Sequence, residues 1–284
     1  MRNRSAYQAS LIGAVLLPAA LSGCGPRTIP PVAGVLPPGE PVEVDWSDYA
    51  LLLDRVVAGE TIDTEKLLAN RPLLDRILAR LARVGPTSKP ESFPQNADRL
   101  AFLINAHNAA VLRSLVALAT KGKIPVRLPW SLEQRFQFVI DGVLRTPADL
   151  RRLALDQAGT DWRVRLALYD GHRIGPPLAR RVFFGDMLDA QLNHQTRRAI
   201  GSDRLVRIDH EASKRLLVWR GLYEIRAELI ADYERRMQTT DATMLSVLLE
   251  WCEPQRRETL NSAIGYRAAP LPADHRTDGS GDER

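Results

Sequence analysis

Between Gln95 and Leu118 the chain reads QNADRLAFLINAHNAAVLRSLVAL, and from Leu100 to Leu112 it is apolar almost all the way round a helix. A surface helix keeps one polar face, and a helix that has none lies buried at the centre of its domain. The rest of the chain is therefore expected to wrap this segment. Asn105 and Asn108 are three apart, so they share a face about 60° wide with Ala101 and Leu112, whereas His107 points about 200° away from Asn105. A buried amide left unpaired costs about 1–3 kcal/mol, so each asparagine must hold specific partners. Two readings stand side by side: the asparagines tie down loop backbone, or they orient a ligand or a catalytic group. His107 reads as a packed histidine.

The flanking segments supply the wrapping. Ser47 caps a helix to about Ala58 with Leu51, Leu52, Val56 and Val57 on its stripe, and a second helix covers about Thr64 to Val84. Asp141-Gly142, between Phe136–Ile140 and Val143-Leu144, is a two-residue hairpin signal. Thr146-Pro147-Ala148-Asp149 then opens a helix, with threonine as cap and proline where its missing N–H does no harm. Val164 to Tyr169 (VRLALY) reads as a strand, and Asp170 to Pro177 as the loop after it. Helices follow over about 186–200, up to Met237 and over 241–252, with a second hairpin at 205–208 and 214–219. The sum is an α+β fold: a mainly helical single domain with short β-hairpins and a buried central helix.

The start of the chain has a different character. Arg2 and Arg4 precede an uncharged run from Ala9 to Leu21, the layout of an export signal over residues 1–23. The run is shorter than the about 20 apolar residues a membrane span needs. Leu21-Ser22-Gly23-Cys24 resembles the lipobox of bacterial lipoproteins, which implies a lipid on Cys24 and a membrane as partner through it. Gly25 is not aspartate, so the resemblance implies an extracytoplasmic, lipid-anchored protein, on the outer membrane if the host has one. Residues 24–44 hold six prolines among small residues and read as a tether. The folded domain is expected over 45–271, and the polar residues 272–284 as a disordered tail.

Composition narrows the chemistry. The chain carries 39 Lys+Arg and 34 Asp+Glu, a net charge of +5, which falls to +3 without Arg2 and Arg4. The arginines are scattered and not gathered with aromatics, so nucleic acid is not an expected partner. Cys252 is the only thiol beyond Cys24, which leaves no zinc cluster or paired-cysteine motif, and neither metal nor cofactor is expected. The best catalytic candidates are Asp170 and His172, a carboxylate and an imidazole presented by one loop. Asp170-Gly171 is equally an ordinary turn. Arg165 and Arg173 are candidates for binding an anion.

In order, RLAFLINAHNAAVL, QFVIDGVLRTPADLRRL, VRLALYDGHRIGPPL and LDAQL resemble the domain of unknown function 547 family, from about Trp46 to Leu271. The family's asparagine helix matches Leu103 to Ala109, with Asn105 and Asn108 in place and Leu103 and His107 substituting a tryptophan and a tyrosine. Where the family has a histidine and two cysteines, this chain has Arg165, Asp170 and Gly175. Its C-terminal tyrosine-aspartate-tryptophan-serine-leucine motif is met only by Tyr266 to Pro270. The resemblance implies a fold and a cleft without naming a reaction. The resulting expectation is a membrane-anchored extracytoplasmic binding or scaffold module lacking the family's reactive groups, with an envelope glycan or a protein as partner. The alternative is a hydrolase or transferase acting on an envelope polymer through Asp170 and His172.

Overall fold

The computed structural model describes residues 25–32, 45–129 and 131–279. Residues 1–23, Cys24 and most of the proline-rich segment lie outside the described residues. The order begins with strand β1 (Arg27–Thr28), helix α1 (Ser47–Val56), the two-residue strands β2 (Val57–Ala58) and β3 (Thr61–Ile62), and helices α2 (Thr64–Ala69) and α3 (Arg71–Leu81). Then come α4 (Asn96–Leu118), α5 (Leu132–Arg135), β4 (Phe136–Ile140), β5 (Val143–Arg145), α6 (Pro147–Ala158), α7 (Val164–Ala167) and α8 (Leu188–Gly201). The hairpin β6 (Val206–Asp209) and β7 (Arg215–Val218) leads to α9 (Arg220–Tyr223), α10 (Arg226–Met237), α11 (Met244–Glu250), α12 (Pro254–Asn261) and β8 (Arg267–Pro270). The domain is mainly helical with short sheets, an α+β fold.

Helix α4 is the centre that its sequence demands: Leu100, Ala101 and Phe102 are buried, and so is every residue from Ile104 to Val116. One side of it packs with α1, α3 and β4 in the larger apolar core. Its other side, through Leu100, Ala101 and Ile104, meets Ala154, Val164, Leu168 and Leu192. A further core gathers β6, β7 and α10 to α12 around Leu205, Val218, Leu229 and Leu248, and Leu166, Ala199 and Ile200 reach into it. Helices α7 and α8 thus join the two ends of the domain.

The predicted hairpin forms in register, Ile140 opposite Val143, with Asp141 and Gly142 at φ 52° and 74° as a two-residue turn of that hand requires. The Asp141 carboxylate has a second use, accepting from the Thr87 N–H at 2.6 Å and the Ser88 N–H at 2.9 Å. The Thr146 cap also forms: the Asp149 N–H donates to its hydroxyl at 3.1 Å, and Asp149 accepts from the Thr146 N–H at 3.0 Å.

Four expectations need correction. Val164 to Tyr169 is no strand: α7 takes Val164–Ala167 and an extended turn follows. All residues from Leu166 to Tyr169 are buried, so the run is apolar because every side is covered, a pattern that cannot separate a buried helical turn from a strand. The helix of 64–84 is two helices broken at Asn70, with Pro72 in the first turn of the second. Part of the proline-rich segment is built into the domain, since β1 runs parallel to β4 with Arg27 opposite Phe136. Finally, residues 272–279 are not a disordered tail but a strap laid across the domain. Leu128 donates to the His275 carbonyl at 2.7 Å, Arg173 to that of Arg276 at 2.8 Å, Thr277 to that of Val126 at 2.7 Å and Asp278 to that of Gly171 at 2.9 Å. Composition hid it, because its anchoring is backbone pairing and a buried charge instead of apolar burial.

Candidate functional site

The loop after α7 starts with a local bond that the sequence dictates. The Asp170 carboxylate accepts from the His172 N–H at 3.0 Å, as aspartate does two residues ahead in a turn. Gly171 sits at φ 81°, a left-handed value that costs glycine nothing. A side chain on Gly175 would land on the Asp170 carboxylate, so that glycine leaves room for the acid. The His172 Nδ1 lies 3.7 Å from Asp170 Oδ1, an ion-pair distance and too long for a hydrogen bond.

The strap completes the site. The His275 ring packs edge-on to His172 with centroids 5.8 Å apart. Behind them Arg204 donates to the His172 carbonyl at 2.9 Å, to the Glu60 carbonyl and to Asp278 Oδ1 at 3.0 Å. Asp278 is wholly buried, and burial pushes its carboxyl up to about 6 against the pull of Arg204. At the rim Asp274 is held at about 2 by hydrogen bonds from Arg276, with Arg173 adding its charge.

Two recesses meet here. A cleft of about 660 Å³ is lined by Asp170, His172, Trp219, Tyr223, Asp274 and His275 among others. On the other side of the same loop a recess of about 400 Å³ shares Asp170, His172 and Trp219 and adds Ser131, Glu133 and Arg151. Glu133 takes a two-pronged contact from Arg151 at 2.6–3.0 Å and lies 3.1 Å from His107 Nε2. Burial first, and then the Arg151 charge, push His107 down to about 3 despite Glu133. His107 is therefore neutral at ordinary pH; both its nitrogens face acceptors, Glu133 Oε1 at 3.1 Å from Nε2 and Asn108 Oδ1 at 3.3 Å from Nδ1, and the nearer, charged Glu133 favours the one proton on Nε2. His172 behaves oppositely. Burial disfavours its charge, but the adjacent Asp170 carboxylate, with help from Glu133, raises it above the ordinary histidine value. Its Nε2 is buried and has no hydrogen-bond partner among the described residues.

The structure brings Asp170 and His172 together and leaves the other candidates elsewhere. Asn105 donates to the Phe183 carbonyl at 2.8 Å and accepts from the Phe183 N–H at 3.1 Å. Asn108 does the same across a break, donating to the Ala167 carbonyl at 2.9 Å and accepting from the Tyr169 N–H at 3.0 Å. Both amides are 1% exposed and line neither recess; they tie loop backbone. Arg165 sits on α7 away from both recesses. Arg173 stands behind the rim, close enough to act on Asp274. Cys252 is buried, its thiol donates to the Leu248 carbonyl at 3.1 Å, and burial raises it. Among the described residues no group of three His, Cys, Asp or Glu is placed to hold a metal.

Sequence reasoning missed Glu133 with Arg151, Trp219 with Tyr223, and the strap residues. Trp219 and Tyr223 are four apart around the start of α9 and so share a face, which was a readable signal. Glu133 and Arg151 belong to different elements with no spacing rule to connect them.

The fold and site define a mainly helical α+β domain with a cleft of mixed polar and apolar lining at a loop pinned to its central helix. Residues 90–200 match the family described as "Protein of unknown function, DUF547", and this segment belongs to that family. Comparison with curated proteins gives no match, and comparison with solved structures gives none. The matched segment contains α4, Glu133, Arg151, Asp170 and His172, whereas Trp219, Tyr223 and the strap lie beyond it.

Proposed function

We propose that this protein is a membrane-anchored extracytoplasmic binding module whose ligand sits in the cleft over Asp170 and His172. The carrying observation is that the two recesses meet at Asp170, His172 and Trp219, so one ligand crossing the loop touches all three. Trp219 and Tyr223 bring aromatic rings to the lining, with one face of Tyr223 covered by the Arg226 guanidinium at 4.3 Å; Asp274 and Glu224 are paired with Arg276 and Arg220, which leaves Asp170 to accept and the histidines to donate. That mixture suits a hydroxyl-rich, weakly charged ligand such as an envelope glycan or muropeptide, because few precisely placed polar groups on an apolar wall set orientation. The anchoring part of the reading rests on the Leu21 to Cys24 motif.

Binding is tested by thermal unfolding of the full chain with envelope glycans and muropeptides, beside His172→Ala. Stabilisation of the wild type that His172→Ala lacks is the expected result; equal behaviour of the two chains rejects the site. Labelled palmitate entering the wild type and not Cys24→Ser is expected for the anchor.

A second reading, a hydrolase or transferase acting through Asp170 and His172, draws support from an imidazole whose Nδ1 faces the Asp170 carboxylate while its Nε2 has no partner among the described residues. Among the described residues no thiol or hydroxyl is hydrogen-bonded to His172, so the attacking group would be water or the acceptor itself. Product formed from the polymer by the wild type and lost in both Asp170→Asn and His172→Ala would favour it.

A further inference from the structure

A second groove, of about 600 Å³, lies between the segment after Leu178 and the outer face of α8, away from the Asp170 cleft. Phe184 and Met187 stand on it 44% and 52% exposed, beside Arg180, Arg181, His194 and Arg198, and no acidic residue lines it. Among the described residues Arg180 and Arg181 make no ion pair. Arg198 gives its protons to the Leu178 and Gly59 carbonyls, both at 2.7 Å, and bonds no carboxylate. The nearby Asp189 is taken by Arg163 at 2.8 Å. Burial and then the neighbouring Arg180 charge disfavour the cation on Arg198, offset in part by Glu60 and Asp278, so an anion in the groove adds to that offset.

The groove is built in advance. Asn105 clamps both backbone groups of Phe183. Gln191 accepts from the Phe184 N–H at 2.9 Å and donates to the Val182 carbonyl at 2.7 Å. Gln195 donates to the Pro177 carbonyl at 2.6 Å. These bonds fix the irregular segment from the core side and leave its arginines and phenylalanine facing outward, which lowers the ordering cost of binding. All of its lining residues fall within the family-matched segment.

We propose that this groove binds one chain of an anionic amphiphile, with the acyl tail on Phe184 and Met187 and the acidic head on Arg180 and Arg181. An apolar wall whose charged neighbours in the lining are arginines matches that chemistry, and the volume is ordinary for a small-ligand site. The apolar side chains line a recess and do not stand on a convex patch, which favours a single chain over a bilayer surface.

The test is calorimetric titration of the full-length Cys24→Ser chain with sodium laurate below its micellar concentration, alongside dodecanol and vesicles of phosphatidylglycerol. The expected result is one laurate per chain, at least about tenfold weaker binding of dodecanol, and at least about tenfold weaker laurate binding to Arg180→Glu/Arg181→Glu and to Met187→Asp. These substitutions are on exposed side chains, and unliganded melting temperatures equal to the parent show that the fold is intact. His172→Ala should bind laurate undiminished, which separates this groove from the Asp170 cleft. Absence of laurate binding, equal binding of dodecanol, undiminished binding by the variants, or binding to vesicles alone would overturn the proposal.

Discussion

Arg204 donates to Asp278 at 3.0 Å in a buried pair that fastens the C-terminal strap to the loop carrying His172. Removing one member of a buried pair leaves the other uncompensated, at a cost of about 3–5 kcal/mol. Arg204→Met is therefore expected to lose about that much stability in urea unfolding. It should also raise hydrogen exchange at the amides of Arg173 and Asp278, which the strap pairs.

The same pair has a pH signature. Asp278 rises from an ordinary 3.8 to about 6 on folding, so it binds its proton more tightly in the folded chain. Its contribution is full below 3.8 and is lost as pH rises through 6, a change of up to about 3 kcal/mol. His172, also raised, slopes the same way at higher pH. The wild-type stability minus that of Asp278→Asn should therefore fall between about pH 4 and 6.5, measured by urea unfolding at several pH values. A constant difference would mean that Asp278 does not titrate in that window.

Asn105 and Asn108 each satisfy one backbone N–H and one carbonyl. Replacing either by alanine orphans buried groups that cost about 1–3 kcal/mol each. We expect Asn105→Ala to expose the Phe183 amide to exchange and Asn108→Ala the Tyr169 amide, with neither variant altering the His172 titration directly.

These amides show what the sequence could and could not reveal. The all-round apolarity of α4 correctly marked a central helix, and burial then forced each asparagine to have partners; which partners depended on loops 59 to 78 residues away. Local chemistry was read well where one short stretch decides it, as at Asp141-Gly142 and Thr146. It failed at Val164 to Tyr169, where tertiary burial on every side removes the periodicity that would tell helix from strand. The cleft was half legible: Asp170 and His172 sit in one turn, whereas Trp219 and His275 reach it only through β7 and the strap.

Asp170 and burial act on His172 in opposite senses. Asp170→Asn removes the opposing charge, so the imidazole should titrate below the ordinary histidine value, followed by NMR. Gly175→Ala pushes the Asp170 carboxylate aside and should lower it in the same direction. An unchanged titration in Asp170→Asn would show that the 3.7 Å approach carries no electrostatic weight.

The most direct test of the cleft is a muropeptide titration of the wild type, Trp219→Ala and His172→Ala, read by amide NMR shifts. Saturable shifts centred on the Asp170 to Arg173 loop and the His275 segment, weakened about tenfold or more in both variants, are the predicted result. No shifts in the wild type, or shifts that survive both substitutions unchanged, would contradict the assignment of this cleft as the binding site.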